Sequence, residues 1–347
     1  MIARIAQRTG VDYTAVLGVG AYRPTRVVTN DEVAGPINSS DEWIRTRSGI
    51  RTRRFADDTE TIVSMSVAAA RQALDGAEVD AEQVDCVLVA TSTHLLLTPA
   101  AGPKIASELG MTDVAAFDVS AGCAGFCHAL ALASDQVKAG TSRHVLVIGV
   151  EKLTETIDFT DRSTAFLFGD GAGAVVVGPS EHPGIGPTIW GSDGNQDHAI
   201  RQTKDWATYF DEVAALGKES VRPYLAMEGT AVFRWAAHSL EKVCREALDA
   251  AGIEVDQLDA MIPHQANGRI IEIMARVLGL PESCAVADDI ADTGNTSAAS
   301  IPLAMEALLR TGRSKPGDIA LLIAFGAGLS YASQVVALPA LGAPAPA

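Results

Sequence analysis

The chain is written twice. The segment ALDGAEVDAEQVDCVLVA, from Ala73, runs without a gap against ALDAAGIEVDQLDAMIPH, from Ala247, so that Leu74 meets Leu248, Asp75 meets Asp249, Gln83 meets Gln257 and Asp85 meets Asp259. The offset is about half the chain of 347 residues. At the same spacing the apolar run Val145 to Ile148 falls on Ile319 to Leu322, and Cys123 falls on Ser297. A chain of this kind folds as two halves with one ground plan.

Within each half, apolar stretches of strand length alternate with amphipathic stretches of helix length, and two strands close the series. In the first half the strands are expected near 15–19, 86–90, 114–119, 144–150 and 171–177, with helices near 64–74, 103–109 and 125–138. The second half repeats the scheme from about Ile185, through a helix over 232–249, to a last strand over 330–337. Apolar strands alternating with helices predict an α/β fold of mostly parallel sheets, covered on both faces. The halves are placed at 1–182 and 183–347, with the helices after Cys123 and Ser297 as a buried central pair. Two segments fall outside the plan. Asp197 to Tyr224, charged and carrying Trp206, Tyr209 and Phe210, reads as a long loop. The Pro- and Ala-rich tail after Leu338 reads as disordered.

Composition removes several classes of function. Forty-three acids against 27 bases leave a formal charge of −16, so no extended basic surface is available to nucleic acid or an anionic membrane. No run approaches the roughly 18 apolar residues that span a bilayer, and Met1 to Gly10 holds two arginines without an apolar core; a cytoplasmic location is expected. Five scattered cysteines form no CxxC pair and no zinc spacing, so reduced thiols and no metal are expected.

Four stretches can carry chemistry. In DVSAGCAGFCHAL, Cys123 sits where a short strand turns through small residues into a helix, and a helix N-terminus favours a thiolate. The alternative is an inert core cysteine. In MIPHQAN, His264 lies at the end of a strand, where parallel α/β sheets bind ligands, and Asn267 can cap the next helix; a purely structural histidine is the alternative. In DTGNTSAASIP, Asn295 is either a plain turn residue or, by the internal symmetry, the counterpart of Ala121, two residues from that of Cys123. In IAFGAGLSY, the glycine turn is either only a hairpin or the source of a backbone N–H, from Ala327, that completes an oxyanion hole with the N–H of Cys123. A thiolate can hold an acyl group, and a neutral imidazole with an amide can stabilise an enolate on a second thioester. That set suits loss of CO2 from a malonyl group, which needs no base. Gly18-Val-Gly20 lacks the third glycine of a dinucleotide site, and GDGAGAVVVG runs into a strand instead of opening a helix.

Taken together, GCAGF, PHQAN, GNTSAAS and FGAG, in this order and over most of the chain, resemble β-ketoacyl-acyl-carrier-protein synthase III. The resemblance implies a thiolase-like fold in five layers (αβαβα). It implies that Cys123 takes an acyl group from acyl-CoA, and that His264 and Asn295 promote decarboxylative condensation with malonyl-acyl carrier protein (ACP), which initiates fatty acid biosynthesis. CoA enters as a thioester substrate and no further cofactor is implied. It further implies that Trp43, Arg47 and Arg162 contact the nucleotide end of CoA, that Gly229 and Asn267 line the pantetheine channel, and that Arg234, Arg269 and Arg276 dock the acidic carrier. A homodimer is implied, with Thr98, in THLLLTPAAG, shaping an acyl pocket across its interface and 197–224 as a candidate flap. Rival readings are an acyltransferase or starter-unit synthase of polyketide metabolism and, outside enzymes, an acyl-binding or redox-sensing protein. A degradative thiolase would use a second cysteine near the last glycine turn, and none follows Cys284.

Overall fold

The computed structural model describes residues 5–216 and 220–342. The first half opens with β1 (Tyr13–Tyr22). A small hairpin of β2 (Arg26–Thr29) and β3 (Thr52–Phe55) then encloses α1 (Asn30–Ala34) and α2 (Asp41–Ser48). There follow α3 (Ile62–Ala77), β4 (Cys86–Ala90), α4 (Ala101–Glu108), β5 (Ala115–Val119), α5 (Gly125–Lys138), β6 (Val145–Glu151) and β7 (Gly171–Ser180). The second half begins with β8 (Ile189–Gly191). A two-stranded excursion of β9 (Ile200–Gln202) and β10 (Leu225–Met227) holds α6 (Trp206–Leu216) between its strands. The chain continues through α7 (Gly229–Ala251), β11 (Ala260–Pro263), α8 (Gly268–Leu278), β12 (Ala285–Val286), α9 (Ile290–Thr293) and α10 (Ser300–Arg310). It closes with β13 (Ile319–Phe325), β14 (Tyr331–Ala337) and β15 (Ala340–Leu341).

The two sheets have one order. The first runs β1-β7-β6-β4-β5 and the second β8-β14-β13-β11-β12. Residues identical in the repeat do identical work. Gln83 and Gln257 each accept a bond from the backbone N–H three residues earlier, at Asp80 and Glu254. Asp85 accepts from the backbone at the start of β6, and Asp259 from Ile319 at the start of β13. The sheets are mixed, not mostly parallel: β6–β7–β1 and β13–β14–β8 pair antiparallel, while β4 and β11 are parallel to both neighbours. Short connections between β13 and β14 permit only the antiparallel choice.

Five layers result. Met65, Ala69 and Ile105 of α3 and α4 cover one face of the first sheet against Leu146 and Ile148. Its other face meets α5 and α10, whose Phe126, Leu130, Met305 and Leu308 share one core with Val147 and Val175 of the first sheet and Ile262 and Leu322 of the second. Leu240, Val243 and Met274 of α7 and α8 close the far side. β4 and β6 are buried at every residue, which is why they read as unbroken apolar runs. Each large aliphatic or aromatic side chain buried here stabilises the fold by about 1.5–3 kcal/mol.

Three further expectations change. The segment 197–224 is not a bare loop: it forms β9 and α6, although α6 buries no side chain and Trp206, Tyr209 and Phe210 gather among themselves at centroid distances of 5.8–6.2 Å. Residues 217–219 of that segment lie outside the described residues. The tail is ordered as far as it is described, with β15 parallel to β1; residues 343–347 lie outside. Finally, the repeat slips by one residue at the site. The turns before α5 and α10 begin at Gly122 and Ser297, both at positive φ (52° and 49°), so Cys123 matches Ala298 and Asn295 matches Ser120. Hydrophobic pattern sets an offset along strands; it cannot see one residue gained in a turn.

Candidate active site

Cys123, His264 and Asn295 line one cavity of about 870 Å3. Cys123 belongs to the single 3-10 turn Gly122–Ala124 that leads into α5. The turn is pressed against the loop between β13 and β14. A Cβ on Gly326 would lie 2.6 Å from the Cys123 nitrogen, and one on Gly122 would lie 3.0 Å from the Ala327 nitrogen. Only glycine allows this approach, and Gly122 also has positive φ. Among the described residues, neither the Cys123 nor the Ala327 N–H has a backbone acceptor, and both residues stand on the cavity wall.

The sequence reading expects a thiolate at this helix end; burial opposes it. Burial and the Glu151 carboxylate push the thiol up to about 11, while a hydrogen bond from Ser297 and the residue's own backbone pull the other way. A helix N-terminus contributes at most about 2 kcal/mol, or about 1.5 pH units. Burial and the Glu151 carboxylate therefore outweigh the helix end and favour the thiol at rest.

His264 follows β11 directly, its N–H donating to the Ile323 carbonyl at 2.7 Å. The Ser300 hydroxyl, at the start of α10, lies 2.7 Å from His264 Nδ1 and accepts from the Gln265 N–H at 3.2 Å. No other acceptor is placed for the Ser300 proton among the described residues, so it donates to Nδ1 and leaves the ring proton on Nε2. Burial holds the imidazole down at about 3, so the ring is neutral. The edge of Phe325 stands at 5.4 Å and fixes its plane. Asn295 is fixed in the same manner: its Oδ1 accepts from the Ser297 N–H at 2.8 Å, which leaves the amide nitrogen free to donate into the cavity. No carboxylate lines the cavity among the described residues.

At the mouth, Trp43 of α2 lies under two guanidinium groups, Arg162 at 4.6 Å and Arg47 at 5.7 Å from the ring centroid. Its edge meets Phe166 at 5.1 Å. Asn267 caps α8 through the Arg269 N–H and reaches the Arg47 carbonyl at 3.1 Å, joining the two halves. Gly229 begins α7, and a Cβ there would meet nothing nearer than 3.9 Å. The protein itself does not require that glycine. Among the described residues, no group of three or more His, Cys, Asp or Glu could hold a metal ion, and no helix is long and apolar enough to cross a membrane.

Comparison with known proteins agrees with this geometry. A family described as "3-Oxoacyl-[acyl-carrier-protein (ACP)] synthase III" matches residues 117–194, and its C-terminal counterpart matches 248–338. The chain is 56% identical, over 96% of its length and 98% of the relative, to "Beta-ketoacyl-[acyl-carrier-protein] synthase III" of Mycobacteroides abscessus. It is 54% identical, over 97% of its length and all of the relative, to the protein so named in Streptomyces glaucescens. The chain belongs to the β-ketoacyl-ACP synthase III family. Among solved structures, the priming β-ketosynthase of the R1128 polyketide biosynthetic pathway superposes with TM-score 0.92 at 49% identity, covering 98% of this chain and 99% of that one. The synthase III of Aquifex aeolicus gives 0.85 at 39%, covering 93% and 99%. The chain is thus an acyltransferase with a thiolase fold.

Of the residues named from sequence, the synthase III cavity gathers Cys123, His264, Asn295 and Ala327 in its depth. Trp43, Arg47, Arg162, Gly229, Asn267 and Arg269 stand along its walls and mouth. Arg234 and Arg276 are exposed and lie outside it, and Arg269 stacks over Phe233 at 5.6 Å. Thr98 does not line the cavity of this chain. It is exposed just before the chain turns into α4, and Leu95 and Leu97 line the cavity from the same loop. Sequence reasoning missed Ser300, Ser297, Phe325 and Glu151. Glu151 had a signal, since it is the single acid at the end of the apolar strand VLVIGVE.

Proposed function

We propose that this synthase III condenses an acyl-CoA with malonyl-ACP, releasing CO2 and CoA and giving the 3-oxoacyl-ACP that starts fatty acid synthesis. The reading rests on one observation: two neutral donors, His264 Nε2–H and the Asn295 amide, face the Cys123 cavity, and among the described residues no carboxylate does. An enolate made by proton abstraction would need a base there. An enolate made by loss of CO2 needs only donors. Residues 1–182 supply the nucleophile and 183–347 the donors. Cys123 attacks the acyl thioester, the N–H groups of Cys123 and Ala327 hold the oxyanion, and CoA leaves. Malonyl-ACP then loses CO2 while the donors hold its thioester oxygen, and the carbanion displaces Cys123 from the acyl group. No cofactor beyond the CoA thioester enters this scheme.

The mouth suits CoA. Trp43 with its two arginines offers an aromatic ring and positive charge to adenine and phosphates, and Gly229 leaves room for pantetheine. Arg47→Ala with Arg162→Ala raises the KM for acyl-CoA about tenfold or more and leaves kcat within about threefold, since these contacts are the same in ground and transition states. An unchanged KM in steady-state kinetics places CoA elsewhere. Exposed Arg234, Arg269 and Arg276 give an otherwise acidic chain a local patch for an acidic carrier. A second copy is supported by the open edge of β5 and by exposed Leu96, Leu97 and Phe117; in that dimer Thr98 would shape the acyl pocket.

The deciding experiment follows Cys123 acylation by intact mass and CO2 release together, with a panel of acyl-CoA starters and malonyl-ACP. Acylation without CO2 would refute decarboxylative condensation. The likeness to the R1128 priming enzyme favours a second reading, a starter-unit synthase of polyketide metabolism, which the same panel separates by starter preference. Ser300→Ala lowers condensation by the pre-acylated protein about tenfold, the worth of one neutral hydrogen bond of about 1.4 kcal/mol. Acylation stays within about twofold. Equal loss in both half-reactions assigns Ser300 to folding instead.

A further inference from the structure

The nucleophile sits at one end of a buried hydrogen-bonded chain. The Ser297 hydroxyl stands beside Cys123 on the cavity wall, where it pulls the thiol down, and donates to Glu151 Oε1 at 3.0 Å. Glu151 ends β6, is fully buried, and accepts further bonds from the Thr91, Ser92 and Thr93 hydroxyls and the Ser92 N–H. Ser297 is held in this bridging position with φ at 49°, a conformation a side chain adopts only when its surroundings demand it. The serine has one proton for two neighbours. It donates to the carboxylate when the sulfur carries hydrogen, and to the sulfur when the carboxyl does. Switching one arrangement to the other moves a proton from Cys123 to Glu151.

We propose that Glu151, acting through Ser297, takes the Cys123 proton as the enzyme is acylated and returns it when Cys123 is released. The S–H bond breaks as the Ser297 oxygen gains hydrogen, and the serine's own proton passes to Glu151. The thiolate attacks the acyl-CoA, and the CoA thiolate leaves and takes a proton from solvent at the cavity mouth. During condensation the carbanion displaces Cys123 as a thiolate, and the reverse shift restores thiol and carboxylate. One proton is consumed overall, by CoA. Because Glu151 touches neither substrate nor sulfur, it is a positioning residue.

The surroundings suit a carboxyl that changes state. Burial raises its pKa, and the hydroxyl and backbone donors lower it. Cys123, reached through Ser297, is the titratable group on its hydrogen-bonded chain; the thiols of Cys86 on β4 and Cys127 on α5, elements packed against β6, are pushed up by burial. Lys152, next in the chain, turns away to the Asp57 carbonyl and Glu155.

The inference rests on Cys123 as the nucleophile, and the two can fail separately. Cys123→Ala that still acylates would remove the nucleophile assignment, whatever Glu151 does. The test of the relay is the pre-steady-state rate of Cys123 acylation, read by intact mass between about pH 6 and about pH 9. Internal transfer makes the wild-type rate nearly flat, since the proton stays in the protein. In Glu151→Gln the rate at neutral pH falls about 100-fold and climbs about tenfold per pH unit, because solvent must take the proton. Ser297→Ala, which keeps the carboxylate, shows the same slope and decides the matter if Glu151→Gln fails to fold. Glu151→Asp regains the flat profile. If Glu151 is only a nearby negative charge, its removal makes the sulfur more acidic and acylation faster, and the relay is wrong. A flat profile in both variants, at any rate, overturns it as well.

Discussion

Cys123→Ala protein, mixed with acyl-CoA and examined by intact mass, gains no acyl group, and its condensation rate falls by about 10⁴-fold or more, as when the nucleophile of a covalent mechanism is deleted. The change removes one sulfur from a turn that other contacts hold. Gly122 and Gly326 still interlock, and α5 keeps its buried face against both sheets. Stability therefore changes little, and a normal melting curve accompanies the loss. A persistent acyl adduct would move the chemistry to one of the other four cysteines. All four are free and buried, and none lines the cavity.

His264→Ala and Asn295→Ala each lower condensation by about 10²–10³-fold, the usual effect of deleting one donor to a developing oxyanion. Both still take an acyl group from acyl-CoA at near wild-type rates. The asymmetry is the point of the test, and it has a geometric origin. In the proposed scheme the backbone N–H groups of Cys123 and Ala327 serve the first carbonyl, and the two side chains serve the second. The paired loss is not additive, because both donors hold one oxygen. Condensation at wild-type rate in Asn295→Ala would exclude the amide from the oxyanion site, and equal loss of acylation in His264→Ala would show that the imidazole serves both steps.

Much of this was legible in the letters. The spacing of Leu74 with Leu248 and of Asp85 with Asp259 reports strands and entry turns that the two sheets use in the same way. Runs such as CVLVA could only be covered on both faces. Cys123, His264 and Asn295 could be grouped because each ends a strand or opens a helix on the ligand-binding edge of its sheet. What pattern does not encode is who touches whom across the two halves. Ser300 looks like any small residue at a helix start until the fold brings His264 to it at 2.7 Å. Burial is equally silent in a local reading, so the helix end at Cys123 suggested a thiolate where the whole environment keeps a thiol. The helix within 197–224 was missed although Trp206, Tyr209, Phe210 and Val213 recur at helical spacing, because the charged residues around them read as loop and the stripe has no core behind it.

The middle layer has a historical implication. With α5 and α10 each sharing a core with both sheets, a half-length polypeptide on its own would leave an oily surface open to water. An ancestor one half as long would have had to associate in pairs before duplication and fusion joined the copies.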